Sequence, residues 1–252
     1  MEQYHGRAIN DKIAIGRTFL YRKNSIPVSK RHIEKAEIET EIKRMETALD
    51  TANAHLEQIY QRALEEVGAD DAAIFAVHKI LLCDKDYLDF IRNMIRLEQV
   101  NAEYAVTSAG EHFAQMFARM KDRYMRSRTD DIRDVSGQLT AALSGDGIKM
   151  QEPEEPVILL ANGLAPSETV LLDKSKILAL ITRHGQADSH ASYLIRSLGI
   201  PAVSGIDFPD DWDGRMAIVD GGAGVVTIDP DTDTLEAMTG RMLQYRKRLR
   251  QI

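Results

Sequence analysis

The sequence predicts a mixed fold in which an α/β domain is interrupted by a long helical insertion. Three observations predict it. Apolar residues recur at helical spacing from Ile38 to Leu143 with only short polar breaks. Short β-type runs separated by glycine- and proline-containing turns follow between Val157 and Pro230. One strand-like segment, residues 11–21, stands alone near the N-terminus. A lone strand needs partners, so it is expected to join the downstream sheet, which makes the helical stretch an insertion within an α/β domain.

Taken in order, residues 11–21 carry apolar side chains at 13, 15 and 19 to 21 between turn-formers. Ile38, Ile42, Met45, Leu49, Ala52, Leu56, Ile59 and Ala63 then alternate at spacings of four and three, the stripe of a long helix that Gly68 ends. Asp70 and Asp71 open a second helix over 72–82, favoured by the positive end of its dipole, and Asp84 opens a third over 85–97. A fourth is expected over 101–124 and a fifth over 130–143, closed by Ser144 and Gly145. Short loops between them imply an antiparallel bundle. Beyond Gly145, strands are expected at 157–160, 177–181 and 202–203, with two more around the glycine-rich turn of 215–230. Helical content appears at 166–172 and 189–198, and residues 232–252 return to helix. The expected domains are residues 1–30 with 146–230 for the α/β part, 31–145 for the inserted bundle, and 231–252 for a linker helix.

Composition narrows the function class. The 252 residues carry 32 Lys and Arg against 39 Asp and Glu, a net charge of −7, so a broad nucleic-acid footprint is not expected. A basic or neutral protein partner fits better. The single cysteine, Cys83, cannot form an internal disulfide or a cysteine-based metal site, and a reducing, cytoplasmic setting is the expectation. The first residues lack the pattern of a signal peptide, and no apolar run reaches about 18 residues, so neither export nor membrane insertion is expected. The basic end, Tyr245 to Arg250, reads as a solvated face or a helix end.

Thr182 to Val203 is the most informative stretch. A strand ends near Thr182, a polar loop containing Gly185 follows, and a short helix begins near Ser189 and stops at Gly199. Asp188 or Ser189 would cap that helix and leave His190 in its first turn, where backbone amides and the dipole favour an anion. A neutral imidazole there is nucleophilic near pH 7 and suited to carry a phosphoryl group. Spacing alone leaves the alternative of an ordinary surface or capping histidine.

Ser189-His190, with Arg196 and Gly199-Ile-Pro-Ala-Val203 behind it, resembles the phosphohistidine signature shared by Enzyme I of the sugar phosphotransferase system, pyruvate phosphate dikinase and phosphoenolpyruvate synthase. Three further stretches resemble Enzyme I among these: Ile74-Phe75 to His78, Leu81, Leu82 and Asp84; Arg128 through Asp131, Ile132, Arg133 and Asp134; and Pro166-Ser167-Glu168-Thr169. The resemblance spans nearly the whole chain but only the amino-terminal half of that family, ending before the barrel that binds phosphoenolpyruvate and magnesium. It implies a swivelling phosphohistidine domain with an inserted bundle, and a chain that is a fragment or a natural half. By that resemblance His190 takes the phosphoryl group on Nε2, and Thr169, otherwise a helix-capping hydroxyl, orients the ring through its other nitrogen. Ser189, Asp188 and Gly185 surround the phosphate. The face around Phe75, His78, Leu81, Leu82, Asp84 and Arg128 docks the phosphocarrier protein HPr or a paralogue. Without that resemblance, Phe75 and His78 read as ordinary bundle residues. No cofactor is expected in this chain, magnesium belonging to the missing barrel, and the piece is expected to be monomeric where full-length members are dimers.

The departures also carry physics. Where the family has Gly-Gly-x-Thr-Ser, this chain has Gly185-Gln186-Ala187-Asp188-Ser189. Asp188 would set a carboxylate beside a phosphoryl group, costing roughly 1 to 4 kcal/mol for a unit pair about 4 Å apart. Arg183 and His184 are placed to offset it, although His184 also reads as a plain loop residue. Arg196, nearly two turns beyond His190, is expected to make an ion pair within its domain. Asn10-Asp11-Lys12 replaces the family's Ser-Pro-Gly. Two alternatives stand beside phosphoryl transfer: a docking or regulatory module that has lost phosphorylation, for which Asp188 and Gln186 speak, and a dikinase-like swivelling domain, which the bundle disfavours.

Overall fold

The structure is a computed structural model that describes residues 1–23, 27–145, 153–185 and 189–249. The chain divides into two compact units: Asn24–Met150 with Ala165–Val170, and Met1–Lys23 with Gln151–Leu164 and Leu171–Ile252.

The first unit is helical: α1 (Ile38–Val67), α2 (Ala69–Leu82), α3 (Lys85–Glu98), α4 (Ala102–Ala118), α5 (Arg123–Ser144) and α6 (Pro166–Leu171), the last nearly all within it. The buried stripe of α1 runs through Ile42, Met45, Ala48, Ala52, Leu56, Ile59 and Ala63. It takes Ala48 in place of the expected Leu49, which is half-buried, because 3.6 residues per turn drift away from a strict alternation of three and four. Asp84 caps α3 by accepting the Tyr87 amide at 3.0 Å. The break between α4 and α5 falls at 119–122 rather than at the expected 125–129. Asp122 decides it, accepting the Met125 amide at 3.0 Å and starting α5 about two turns early. Buried Glu41 of α1 accepts the Ala102 amide at 2.7 Å and so caps α4 from a neighbouring helix. At Gly110 of α4 a β-carbon would stand 2.4 Å from Ser136 Oγ of α5, so glycine is what lets these two helices approach. Ala165–Val170, assigned from sequence to the α/β part, groups with these helices instead. The cause is Asp134 of α5, whose carboxylate accepts the Ser167 amide at 2.9 Å and the Ser167 hydroxyl at 2.5 Å.

The second unit is built on a sheet of β1 (Glu2–His5), β2 (Arg7–Ala8), β3 (Ile13–Leu20), β4 (Val157–Ala161), β5 (Ile177–Thr182), β6 (Ala202–Ser204), β7 (Met216–Asp220) and β8 (Val225–Ile228). Its order is β1-β8-β7-β3-β4-β5-β6-β2. The lone N-terminal strand, β3, lies in the interior, parallel to β4 with Thr18 opposite Ile158 and antiparallel to β7 with Ala14 opposite Val219. Strands β3 to β6 are parallel, and β4 is buried along its whole length, as a strand covered on both faces should be. The sequence reading missed β1 and β2. Separated only by Gly6, they pair with β8 and β6 at the two ends of the strand order, so one continuous segment lies along both edges of the sheet. A β-carbon at Gly6 would stand 2.5 Å from the Ser204 carbonyl oxygen. Ile158, Leu160, Ala179, Ile181, Val219 and Val226 pack with Phe208 and Trp212 in one core. Helix α7 (His190–Leu198) follows β5, and α8 (Thr232–Leu249) closes the described chain.

Candidate active site

His190 is the first residue of α7 and is half-buried. Ser189 caps the helix, with Oγ accepting the Ser192 amide at 3.2 Å, and the first intrahelical bond runs from Tyr193 N to Ser189 O at 3.1 Å. The tip lies beyond the carboxyl end of β5, the end of parallel strands where α/β folds bind ligands. First-turn amides there face outward, and the dipole favours negative charge.

The loop from β5 is held by backbone contacts. The Thr182 carbonyl accepts Gly205 N at 2.8 Å and Ile206 N at 3.1 Å, His184 N donates to Asn162 O at 2.7 Å, and the Gly185 carbonyl accepts Ser204 Oγ at 3.4 Å. Gly185 has φ +142°, a backbone region open to glycine. His184 is exposed. Gln186, Ala187 and Asp188 lie outside the described residues, as does the charge expected at Asp188. Arg183 has other work than the offset expected of it. Its guanidinium donates to Phe208 O at 3.0 Å and 2.5 Å, to Asn162 at 2.6 Å and to Asp210 at 2.9 Å, and lies over the Phe208 ring.

The far end of α7 shows what the sequence reading missed. Arg196 Nε donates to Ile9 O at 2.7 Å and stacks on Tyr193, while Lys12 Nζ donates to Gly199 O at 2.9 Å and Asn10 donates to Ile200 O. Asn10 and Lys12, noted only as departures, thus anchor the C-terminus of the helix that carries His190. A cation on terminal carbonyls suits that end of the dipole. A lysine near the N-terminus carries no local sign of such a distant acceptor.

In the helical unit, Thr169 is fully buried and its hydroxyl donates to the Ala165 carbonyl at 2.9 Å. Thr169 belongs to this unit and His190 to the other. Phe75, His78 and Leu82 have no accessible surface, and Arg128 is almost as deep. They are bundle-interior residues, so the expectation that they touch a partner directly is corrected: α2 is apolar nearly all round, and packing against α1 and α5 selects which side turns inward. Leu81 is half-buried and Asp84 exposed, and Ile80 beside them is 69% exposed. Arg128 pairs with Asp131 at 3.0 Å, donates to the Tyr124 hydroxyl and lies over the Tyr124 ring. Among the described residues, no group of three His, Cys, Asp or Glu is arranged to hold a metal ion, and no helix is long and apolar enough to cross a membrane.

Residues 5–128 match the family model of the PEP-utilising enzyme N-terminal region, and residues 153–224 match that of the PEP-utilising enzyme mobile domain, which contains His190. A solved Enzyme I solution structure superposes with a TM-score of 0.76 at 34% identity, covering 96% of this chain and 99% of that one. The chain belongs to the Enzyme I family. A second structure, the N-terminal domain of Enzyme 1 - Nitrogen, gives a TM-score of 0.61 at 25% identity over 98% of this chain and 99% of its own. Phosphoenolpyruvate-protein phosphotransferase of Geobacillus stearothermophilus is 37% identical over 246 residues, 96% of this chain and 42% of the relative. That of Bacillus subtilis is 34% identical over 241 residues, 94% of this chain and 42% of the relative. The chain thus spans about two fifths of the length of these curated Enzyme I relatives.

Proposed function

We propose that this chain is the phosphohistidine-bearing part of a phosphoenolpyruvate-protein phosphotransferase, passing a phosphoryl group between His190 and a histidine of HPr or an HPr-like carrier. The reading rests on one observation above all: a half-buried histidine in the first turn of a capped helix, within the segment that matches the mobile domain of PEP-utilising enzymes. The reaction is an in-line displacement. The Nε2 lone pair of His190 attacks the phosphorus carried by the partner's imidazole, a new N–P bond forms as the old one breaks, and the released ring takes a proton. Protein groups mainly supply position and electrostatic stabilisation, because such a transition state needs little other chemistry. Ser189 and the first-turn amides supply the anion site. The surface of α2 around Ile80, Leu81 and Asp84 is the proposed carrier contact, since these side chains are accessible where Phe75, His78 and Leu82 are not. Donation from phosphoenolpyruvate, with its magnesium, is assigned to the region that the longer relatives have beyond this match. The proposed setting is the cytoplasm.

The test is incubation with radiolabelled phosphorylated HPr. Acid-labile label is expected on the wild-type chain and none on His190→Ala. Label retained in His190→Ala overturns the site, and an unlabelled wild type favours a docking module without phosphorylation.

A further inference from the structure

Helix α7 carries an aromatic side chain that the reaction as described has not used. The helix turns Ser192, Leu194, Ile195 and Leu198 inward, and the same spacing leaves Tyr193 outside, 48% exposed. Among the described residues, Met1, Tyr193 and Leu243 are the large apolar or aromatic side chains that stand well out of the sheet unit, and of these Tyr193 belongs to the helix that begins with His190. Its place relative to His190 follows from the helix. Residues three apart are neighbours on one face, with β-carbons about 5 to 6 Å apart. Cα–Cβ bonds tilt toward the N-terminus, so Tyr193 covers surface on the side of the turn that holds His190. Arg196, three residues further on, continues the row: its guanidinium lies over the Tyr193 ring, 5.2 Å from the centroid, and its Nε donates to the Ile9 carbonyl at 2.7 Å. The phenol ring is therefore backed by a side chain that is itself tied to the backbone of another segment. A ring held in this way loses little rotamer freedom when a second surface covers it.

Transfer to His190 fixes what that second surface is. In the in-line displacement, the attacking nitrogen must come within about 3 to 3.5 Å of a phosphorus that is still bonded to the carrier's ring. The carrier surface around its histidine then has to close over the first turn of α7, where Tyr193 is the next side chain on the same face. A ring half out of water offers apolar area to bury, and tyrosine, rigid and with few torsions, is among the residue types that carry interface energy. We infer that Tyr193 is a contact residue for the carrier: an aromatic platform, braced by Arg196, on which the surface beside the carrier's histidine seats so that its phosphorus meets His190. This rests on the proposed function, which makes His190 the acceptor and HPr or an HPr-like protein the donor. Tyr193 takes no part in bond making; it sets the affinity and register of the encounter.

The test uses the full chain with radiolabelled phosphorylated HPr. Tyr193→Ala is expected to raise KM for the carrier about tenfold, the scale of truncating an interface aromatic, with kcat at saturating carrier within about twofold of wild type. Tyr193→Phe, which keeps the ring and loses the hydroxyl, should behave as wild type. Amide exchange at Ser192 reads the helix tip itself and should be the same in Tyr193→Ala as in wild type, because the backbone bond from Tyr193 N to Ser189 O is retained. A wild-type KM in Tyr193→Ala, the result if some other surface covers the ring, overturns the inference. So does a loss of kcat accompanied by faster exchange at Ser192, which would make the residue a support of the helix alone. Tyr193→Phe as impaired as Tyr193→Ala also overturns it, because the hydroxyl rather than the ring face would then be responsible. Each of these outcomes leaves His190 as the acceptor and the proposed function standing. A wild-type chain that takes no label overturns the proposed function and the inference together.

Discussion

Ser189 is the single side chain on which the geometry of the His190 tip most directly depends. In Ser189→Ala the Ser192 amide loses its 3.2 Å acceptor and the Ser192 hydroxyl loses its 3.1 Å contact with the same oxygen. Loss of an N-cap costs about 1 kcal/mol and up to about 2 where the site is buried; Ser192 is only 4% exposed. α7 has nine residues, too few to hold itself together without its cap and its packing. A loss of about 1 to 2 kcal/mol confined to the first turn raises its open population roughly 5- to 30-fold. Amide exchange at Ser192 should accelerate by that factor. Label uptake at His190 from phosphorylated HPr should slow, because a frayed tip no longer presents its amides to the phosphate, and Ser189→Thr should restore most of both. If Ser189→Ala exchanges at Ser192 as slowly as wild type and takes label as fast, the cap does not organise the site and this account of the tip is wrong.

Phe75→Ala should cost about 3 to 5 kcal/mol of stability, measured by urea unfolding, as expected for a fully buried aromatic; a variant of wild-type stability with weakened carrier binding would return Phe75 to the surface. Lys12→Met removes the contact to Gly199 O and should speed amide exchange at the C-terminal turn of α7, with little change in global stability; unchanged exchange would show that the anchor is idle. Hydrogen bonds from Arg44 hold Glu103 at about 2, and for Glu41 burial pushes upward but Arg44 and the Ala102 amide outweigh it, so both carboxyls titrate below their unfolded values. Their contribution is therefore present above about pH 4.3, the ordinary carboxylate value, and is lost as pH falls through the folded values. Acid unfolding followed by circular dichroism should shift to higher pH in Arg44→Met, and identical acid midpoints would contradict the pairing.

Much of the local structure was legible in the chain because its causes are local. Asp84 before Lys85, Gly68 after the α1 stripe and Gly199 after Leu198 mark helix ends through their own backbone chemistry. The α5 start was misread because Asp122 and Asp130 are both plausible caps by composition, and only contact with the Met125 amide distinguishes them. β1 and β2 were invisible for a related reason: Glu-Gln-Tyr-His and Arg-Ala have no apolar alternation, and they become strands only because β8 and β6 offer them edges. The docking set was misjudged because an all-round apolar helix carries no mark of which face its neighbours will cover.

From its sequence alone this protein was determined to be an α/β unit split by a run of helices, with a histidine placed just inside a capped helix start, since those features depend on neighbours within a few residues. Tertiary structure decided the rest. It laid the first eight residues along both edges of the sheet, sent Lys12 and Asn10 to the far end of α7, turned His78 inward between two carboxylates, and assigned Ala165–Val170 to the helices through Asp134. Each of those outcomes is a contact between residues distant in sequence, fixed by burial and by the need of interior polar groups for partners, which no local pattern encodes.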